Sequence, residues 1–440
     1  MDCESAAEQS VYHKYILKTS NIECACTMKH SQKRKNIVKH VKYLILGAGP
    51  CGLTLANKLK QSGETSFLVV EKETQAGGLC RSMDVDGAPL DIGGGHFLDV
   101  RRPKVCEFVF SFMPKEEWDY FERDSQIHID NDYVHHPLEA NIFEMSLENQ
   151  VEYLKSVSLA GSNLGTPMPT HFVDWIRWKL GDRIAEHYML PYNQKMFADD
   201  LNSLGTYWLE KLPNVSFDEI LLSCLTKKAH GSQPGHASFY YPKKYGYGEV
   251  FIRMADAIKD NIIYNSKICK LDFNTRKVTT SNGQEIIADQ IITTIPWTSI
   301  ETFEGADADF MDALSKLRHS SIEVSYFDQN LDTSAQWIYY PEDSLPYHRI
   351  LVRHNFCESR GYWTETRKER TDLFGKEDGS FKYMNEYAYP INTIDKPEAV
   401  KTILDFANKH NIHGLGRWGE HSHYNSDVVV EKALNYFDCL

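Results

Sequence analysis

The sequence predicts an α/β protein in which a parallel sheet is interrupted by a mostly helical insertion and accompanied by a mixed or antiparallel β region. Three observations predict this fold class. Residues 41–71 run as strand, tight turn, helix and strand, residues 104–225 follow a helical period, and β patterns return from Ala237 onward. A chain of 440 residues is long enough for more than one domain.

Composition excludes several classes of protein. The chain is 42% hydrophobic with a net charge of −13, which is typical of a globular protein and gives a nucleic-acid partner no electrostatic support. No apolar run approaches the roughly 20 residues that a membrane span requires. We therefore expect a soluble protein, and the cysteines, which show no framework pattern, favour a cytoplasmic one. Residues 1–42 hold eight basic and four acidic side chains, unlike the acidic remainder, and residues 1–40 are predicted to be a disordered leader.

The first element is an apolar strand that begins at Val41 and ends at Gly47. A helix follows from Pro50 to Lys60, where leucine and alanine recur at helical spacing. Residues 66–71 then supply a second strand rich in valine and leucine. Together these elements predict one βαβ unit with a parallel strand pair.

Gly47, Gly49 and Gly52 follow the first strand in the spacing G-x-G-x-x-G. The first glycine permits the tight turn, the second lets the backbone approach a pyrophosphate, and the third allows close packing of helix on strand. Glu71 ends the next strand about 20 residues on, where a carboxylate can bind a ribose hydroxyl. This context predicts a dinucleotide site, and both NAD and FAD use the fingerprint.

The segment after Glu71 favours FAD over NAD. Residues 75–82 read QAGGLCRS. Their paired glycines resemble an element of amine-oxidase-like FAD proteins that wraps the diphosphate and ribityl arm of the flavin. A second tight turn would account for two glycines, but not for their position directly after Glu71.

The remaining elements are predicted from periodicity and turn residues. Helical stretches fall around residues 146–160, 171–190, 216–228 and 398–409, a hairpin turn at Asn282-Gly283, and a last helix ends near Leu434. The predicted domains are the leader (1–40), a first FAD-binding part (41–103), a mostly helical substrate-side insertion (104–235), a second FAD-binding part with β segments (236–300), a β substrate-side region (301–390) and a C-terminal FAD-binding part (391–440).

Five further segments occur in order along the chain. They are Leu90-Asp-Ile-Gly-Gly-Gly-His96, Pro191-Tyr-Asn-Gln-Lys195, Tyr241-Pro-Lys-Lys-Tyr-Gly246, the stretch from Ile338 to Arg349, and Gly416-Arg417-Trp-Gly419. With the glycine motif, they resemble the UDP-galactopyranose mutase group of the FAD amine-oxidase-like superfamily over residues 41–436. The resemblance implies a Rossmann-like FAD-binding domain of the GR2 type, with the helical insertion and the β region forming the substrate side.

The resemblance also implies an activity. In that group reduced FAD acts as a nucleophile in the ring contraction of UDP-galactose, and the net reaction is not a redox one. We therefore expect a nucleotide-sugar isomerase that serves surface-glycan precursor synthesis. Reduced FAD is the expected cofactor, NAD(P)H a candidate external reductant, and a homodimer the candidate assembly.

The sequence and the resemblance together assign site residues. The catalytic residues are His96, expected near the flavin, and Arg349, expected to hold the pyrophosphate. The cofactor-binding residues are Gly47, Gly49, Pro50, Cys51, Gly52, Glu71, Lys72, Gly78, Leu79, Cys80, Gly94, Gly95, His96, Gly416, Arg417 and Asp427. The substrate-binding residues are Asn141, Tyr192, Asn193, Lys195, Tyr340, Arg349 and Tyr424. Asp427 is also expected to cap the last helix.

The sequence departs from the group on the UDP side. The second pyrophosphate arginine of the group falls here on Leu190 or Gln194, and neither side chain can pair with phosphate. Glu139 replaces an amide in the uracil-side segment, which changes the donors and acceptors offered to a pyrimidine. These substitutions leave the FAD half intact, and they favour a changed substrate over UDP-galactopyranose itself.

Two other functions stay open. The first is an FAD-dependent oxidoreductase of the amine oxidase or protoporphyrinogen oxidase type, which would consume an acceptor stoichiometrically. The second is a flavin-binding protein without activity. A metal site is not expected, because the histidine pairs at 135–136 and 421–423 lack further ligands at recognised spacing.

Overall fold

The computed structural model describes residues 39–197, 200–209, 215–231, 237–374 and 379–440. The predicted disordered leader lies outside these residues, except for its last two, which belong to the first strand. Across the described ranges, no helix combines the length and the apolar character needed to cross a membrane.

The described ranges contain twenty β-strands. In chain order they are β1 Lys39–Leu46, β2 Phe67–Val70, β3 Ser82–Val85, β4 Ala88–Asp91, β5 Leu98–Asp99, β6 Trp118–Glu122, β7 Ser125–Ile129, β8 Asp132–His135, β9 Ser238–Pro242, β10 Ile262–Ile263, β11 Ile268–Asp272, β12 Lys277–Thr280, β13 Glu285–Thr293, β14 Thr302–Glu304, β15 His319–Phe327, β16 Trp337–Tyr339, β17 Arg349–Leu351, β18 Tyr362–Arg367, β19 Phe381–Pro390 and β20 Ile412–Gly414.

The same ranges contain thirteen α-helices. They are α1 Pro50–Gln61, α2 Pro103–Phe110, α3 Leu138–Asn141, α4 Leu147–Ser158, α5 Phe172–Ile184, α6 Leu190–Met196, α7 Phe217–Thr226, α8 Glu249–Asp256, α9 Ala308–Ser315, α10 Lys368–Phe374, α11 Lys396–Lys409, α12 Gly416–Gly419 and α13 Ser426–Phe437.

The first sheet has eight strands in the order β10-β2-β1-β13-β12-β11-β14, with β20 paired to β13. Strands β10, β2, β1, β13 and β20 run parallel. All four residues of β2 are buried, as expected for a parallel strand that is covered on both faces. Helix α1 packs against α13 beside this sheet. The strands of the predicted βαβ unit, β1 and β2, are therefore neighbours in this sheet between β10 and β13, and the hairpin at Asn282-Gly283 joins β12 to β13 as predicted.

The second sheet has seven strands in the order β19-β15-β18-β17-β16-β7-β8. Its pairs are antiparallel except for β16 with β7, which are parallel. Two smaller sheets, β3-β4 and β5-β9-β6, lie beside these. The predicted α/β class with a mixed β region is therefore confirmed.

Within the range predicted as a mostly helical insertion, three strands, β6 to β8, accompany the helices. These strands have only four or five residues each, and β7 alternates buried and half-buried positions. Strands this short show too little hydrophobic periodicity to be recognised between long helical patterns. Helices α4, α5 and α7 lie where helical spacing predicts them, and they enclose a separate apolar core with Tyr153, Phe172 and Ile176.

Candidate functional site

A cavity of about 460 Å³ lies at the carboxyl ends of the parallel strands β1, β2 and β13. We call it the sheet cavity. Its walls include the loops that follow these strands, residues 383–387 of β19, α12 and the start of α13. Ligands of open α/β sheets bind at this edge, because the strand ends and helix N-termini converge there.

The three glycines of the fingerprint have different surroundings. Gly47 has φ +102°, and an added Cβ would lie 2.7 Å from Thr294 Oγ1. A Cβ on Gly52 would lie 2.1 Å from the carbonyl oxygen of Gly47. A Cβ on Gly49 would instead meet nothing nearer than the Cα of Gly78 at 4.0 Å, so this residue leaves open space on the cavity side. Each glycine therefore does what the fingerprint predicts.

Glu71 forms the opposite wall of the glycine loop. Its Oε2 accepts a hydrogen bond of 2.8 Å from the amide of Ala48, and its Oε1 accepts one of 2.9 Å from the amide of Glu73. These bonds hold a carboxylate at the end of β2, where a ribose hydroxyl can reach it. The first turn of α1 has no acidic side chain, so the N-terminus of this helix can hold a pyrophosphate. The residues present thus fit a dinucleotide such as FAD.

Most of the predicted cofactor residues line this cavity. They are Gly47, Gly49, Pro50, Cys51, Glu71, Lys72, Gly78, Leu79, Cys80, His96 and Arg417. Gly52 packs behind the loop, and a Cβ on Gly416 would press on Cys51 at 2.8 Å. Tyr424, predicted to bind substrate, also lines the sheet cavity, and its hydroxyl donates to Glu420 over 3.0 Å.

The predicted capping role of Asp427 is wrong. Helix α13 begins at Ser426, and its N-cap is Asn425, whose side chain makes no capping hydrogen bond. Asp427 is buried in the first turn, where its Oδ2 accepts from Arg102 Nε at 2.6 Å. The ion pair with α2 therefore occupies the carboxylate that the sequence suggested as a cap.

A second cavity of about 170 Å³ adjoins the first, and we call it the arginine cavity. Both cavities are lined by Leu79, His96, Arg417 and Ser426, so they meet at these residues. The further lining residues of the arginine cavity are Gly93, Gly95, Phe97, Arg123, Ile322, Trp337, Tyr339, Arg349, Glu365, Ala388, Tyr389, His423 and Asn425. A molecule bound here can therefore reach a group held at the inner end of the sheet cavity.

A row of side chains across three neighbouring strands forms one wall of the arginine cavity. Tyr339 on β16 pairs in register with Arg349 on β17, which pairs with Glu365 on β18. Directly opposite residues on adjacent strands point to the same face of a sheet. The register thus brings a phenol, a guanidinium and a carboxylate together.

The half-buried Arg349 and the buried Glu365 form an ion pair. Nη2 of Arg349 lies 2.6 Å and 2.8 Å from the two carboxylate oxygens, and the amide of Gly95 donates to Oε1 over 3.3 Å. Burial alone would raise the pKa of Glu365, but Arg349 and His348 lower it to about 2. Among the described residues, Nε of Arg349 has no hydrogen-bond partner, so this guanidinium keeps a donor.

His96 lies where the two cavities meet. Its Nδ1 is 2.8 Å from the carbonyl oxygen of Gly94, so Nδ1 carries the proton and Nε2 is an acceptor. Desolvation lowers the pKa of His96 to about 4, and Arg417 and Arg349 add to this effect. The imidazole is therefore neutral at physiological pH. Gly95, predicted to contact the cofactor, lines the arginine cavity, and Gly94 lies beside Glu365.

Five of the seven predicted substrate residues line neither cavity: Asn141, Tyr192, Asn193, Lys195 and Tyr340. The amides of Asn141 and Asn193 each donate to a carbonyl oxygen four residues earlier in their own helical segment. Lys195 is fully buried, and its Nζ donates to the carbonyl oxygens of Tyr340 and Tyr347 at 2.9 and 3.0 Å. These contacts hold α6 against the second sheet.

Tyr340 and Tyr339 show how the predicted residues miss the cavity. Trp337 and Tyr339 line it, and the indole of Trp337 donates to the Tyr339 hydroxyl over 2.8 Å. Ile338 and Tyr340 belong to an apolar cluster on the other face of the strand. The alternation of β side chains was a signal for this difference, because it separates residues 337 and 339 from 338 and 340.

Sequence reasoning also missed Arg123, Glu365, Tyr389 and His423 in the arginine cavity. Each comes from a strand or a loop outside the motif positions assigned to substrate. Within the described ranges, no group of three or more histidine, cysteine, aspartate or glutamate side chains could hold a metal ion.

Comparison with known proteins identifies the relatives of this fold. The family model described as "Flavin containing amine oxidoreductase" matches residues 50–321. The UDP-galactopyranose mutase of Mycoplasma pneumoniae is 21% identical over 406 residues, which are 89% of this chain and 94% of that protein. The predicted resemblance to this group is therefore confirmed.

Solved structures share the fold over almost the whole chain. A crystal structure of reduced UDP-galactopyranose mutase matches with a TM-score of 0.79 at 21% identity, covering 90% of this chain and 93% of that one. Cyclohexylamine oxidase from Brevibacterium oxydans matches with a TM-score of 0.61 at 15% identity, covering 90% and 99%. At these identities the structures show a shared fold, and that fold serves both isomerases and oxidases.

Proposed function

Because the chain belongs to the flavin containing amine oxidoreductase family, we propose that it holds FAD in the sheet cavity and isomerises a nucleotide sugar at the arginine cavity. The observation that supports this substrate class is the charge of the second cavity. Among its described lining residues are three guanidinium groups, on Arg123, Arg349 and Arg417, and one carboxylate, on Glu365. Such a set attracts a diphosphate and repels a cationic amine.

Arg349 is the residue that we assign to the departing diphosphate. FAD, when bound and reduced, supplies the nucleophile that lets a sugar ring open and close again without net redox change. Glu365 accepts two hydrogen bonds from Nη2 of the guanidinium, and Arg349 lines the cavity. A fixed cation at the point where negative charge develops stabilises the transition state without reorganisation.

His96 and Tyr389 are two groups of this site that can accept or donate a proton in a hydrogen bond to the substrate. The neutral His96 offers Nε2 as an acceptor to a hydroxyl or N–H at the junction of the two cavities. Burial, with the nearby charge of Glu365, raises the pKa of Tyr389 to about 12, so its hydroxyl stays protonated. That hydroxyl lies 3.4 Å from Oε2 of Glu365, which orients the carboxylate.

In this proposal an external reductant such as NAD(P)H keeps the FAD reduced, and the product serves polysaccharide biosynthesis. The cytoplasmic location and the homodimer stay predictions.

The aromatic wall of the arginine cavity favours one alternative, an FAD-dependent oxidation of an amine or another apolar substrate. Phe97 stacks on Trp337 with ring centroids 5.1 Å apart, and both line the cavity beside Tyr339. Aromatic walls hold apolar groups well. An oxidase would consume one equivalent of acceptor per turnover, whereas an isomerase consumes none.

The deciding experiment uses the FAD-reconstituted full chain. The protein is reduced without oxygen and incubated with a panel of nucleotide sugars, and the products are separated by chromatography while flavin oxidation is followed by absorbance. We expect an isomeric nucleotide sugar to form while the flavin stays reduced. Turnover of amines with oxygen consumption and no isomerisation would instead identify an oxidase, and failure to bind FAD would overturn both functions.

A further inference from the structure

Arg123 is a cation of the arginine cavity that lies far in sequence from Arg349. It stands between β6 and β7 and lines the cavity with Tyr339 and Arg349. The substrate assignments made from sequence motifs do not include it. Its position therefore follows from the tertiary structure alone.

Several contacts orient the guanidinium of Arg123. Nε donates to Oγ of Ser125 at 2.8 Å, and Nη2 donates to the hydroxyl of Tyr339 at 3.0 Å. The guanidinium carbon also lies 4.8 Å from the ring centroid of Trp337. A guanidinium that is stacked and hydrogen-bonded in this way loses little freedom when an anion binds.

Tyr339 links Arg123 to the rest of the site. Its hydroxyl accepts from Arg123, its strand position pairs with Arg349, and its ring meets Tyr192 of α6 edge-on at 5.4 Å. Helix α6 carries Leu190 and Gln194, the two positions where a second arginine is absent. Arg123 thus brings a guanidinium to the tyrosine against which this helix packs, from the loop just before β7, the strand that pairs with β16.

We propose that Arg123 and Arg349 together bind the phosphoryl groups of the substrate, and that Arg123 determines specificity for a phosphorylated ligand. This inference rests on the proposed function for the identity of that ligand as a nucleoside diphosphate sugar. The guanidinium groups of Arg123, between β6 and β7, and of Arg349, on β17, can contact different oxygens of one diphosphate, which a single arginine paired with Glu365 cannot do as strongly.

The test measures binding of two probes, inorganic pyrophosphate and UDP, to the FAD-loaded full chain by calorimetry at fixed ionic strength. Arg123→Met removes the charge, and Arg123→Lys keeps the charge but loses the planar fork. We expect Arg123→Met to weaken pyrophosphate binding by roughly 10- to 100-fold, and Arg123→Lys to weaken it less. Tyr339→Phe, which removes the hydroxyl that orients Arg123, should give a smaller loss.

Arg183→Met is the matched control. The guanidinium of Arg183 also lies on an aromatic ring, 5.5 Å from Tyr153, and pairs with Asp130 over 3.4 Å, but it lines neither cavity. We expect this variant to bind both probes like the wild type. The absorbance spectrum of bound flavin should be the same in all variants, which separates loss of anion binding from loss of fold.

The outcomes separate this inference from the proposed function. If the wild type binds pyrophosphate and Arg123→Met binds it equally well, Arg123 is not a phosphoryl ligand, even if nucleotide sugars are isomerised. If Arg123→Met loses pyrophosphate binding but no nucleotide sugar is isomerised, the phosphoryl site stands and the proposed isomerase fails. If the wild type binds neither probe, the inference is overturned.

Discussion

The sheet cavity and the arginine cavity meet at His96 and Arg417, yet they are built in different ways. One end of the sheet cavity is built by backbone, namely a glycine loop, the ends of parallel strands and the N-terminus of α1, and residues 383–387 of β19 complete its lining. The arginine cavity is formed by side chains from five strands of the second sheet and from loops. A site built by backbone can therefore be predicted from a local motif, whereas a site built by side chains depends on strand register.

The largest expected effect tests the backbone-built half. Gly49→Val places a side chain in the open space beside the glycine loop at an ordinary φ of −78°, so the chain should still fold, at a cost of about 1 kcal/mol for the N-cap position. FAD affinity should fall more than ~100-fold, because the side chain fills the place of the pyrophosphate. Flavin titration measures the loss of FAD affinity, and thermal denaturation measures the small loss of stability.

Gly52→Ala is the contrasting variant. Its Cβ would lie 2.1 Å from the carbonyl oxygen of Gly47, so the helix must move away from the strand. We expect loss of stability and of FAD together. Equal stability of the two variants would contradict the division of roles between these glycines.

The next effect tests the side-chain-built half through the ion pair of Arg349 and Glu365. Arg349→Met leaves the carboxylate of Glu365 buried without its main partner, which should cost about 3–5 kcal/mol of unfolding free energy. The double variant Arg349→Met/Glu365→Gln should recover most of that stability, because no charge is then left unpaired. Denaturant unfolding of the wild type, the single variants Arg349→Met and Glu365→Gln, and the double variant measures the coupling free energy between the two side chains.

Ligand binding separates the two roles of Arg349. Both variants should bind pyrophosphate much more weakly than the wild type, since each lacks the guanidinium. Restored binding in the double variant would mean that Arg349 serves only to neutralise Glu365.

A pH-dependent effect is expected at Glu139 on α3, which lies outside the arginine cavity. Burial raises the pKa of Glu139 from 4.5 to about 7. The folded state therefore binds more protons than the unfolded state between these values, so this residue's contribution to stability is lost as pH rises from about 4.5 to 7.

Glu139→Gln removes this dependence. Relative to the wild type, the variant should gain about 3 kcal/mol of unfolding free energy between pH 4.5 and pH 8. Pyrophosphate affinity should not change, because the residue does not line the cavity. If the difference in unfolding free energy between the variant and the wild type is the same at pH 4.5 and pH 8, Glu139 keeps an ordinary pKa.

The smallest expected effect concerns two neighbouring tyrosines, Tyr339 and Tyr340, whose side chains lie on opposite faces of one strand segment. Tyr340→Phe should leave pyrophosphate and FAD affinity unchanged, because Tyr340 packs in the apolar cluster on the far face of β16. Tyr339→Phe, one residue away, should weaken pyrophosphate binding. Calorimetry on the two variants compares the faces directly, and equal losses would contradict the assignment of Tyr339 alone to the cavity wall.

These differences explain how far prediction from sequence could go. The strand, turn and helix of residues 39–61 and the strand that ends before Glu71 follow from hydrophobic period and glycine sterics, which act over a few residues. Eleven of the predicted cofactor residues line the sheet cavity, some assigned from this local pattern and others, such as His96 and Arg417, from the family resemblance. Of the predicted substrate residues, Arg349 alone lines the arginine cavity in the part of the chain that the structure describes.

The sequence by itself determined the class of the protein: an α/β chain with a dinucleotide fingerprint and an ordered series of motifs. These features depend on backbone conformation and on neighbours close in the chain. Only the tertiary structure decided which charges meet in the second cavity. Arg123, Arg349 and Glu365 lie up to 242 positions apart. Arg349 and Glu365 share a face because β17 and β18 pair in register, and Arg123 comes close to them because it lies just before β7, which pairs with β16.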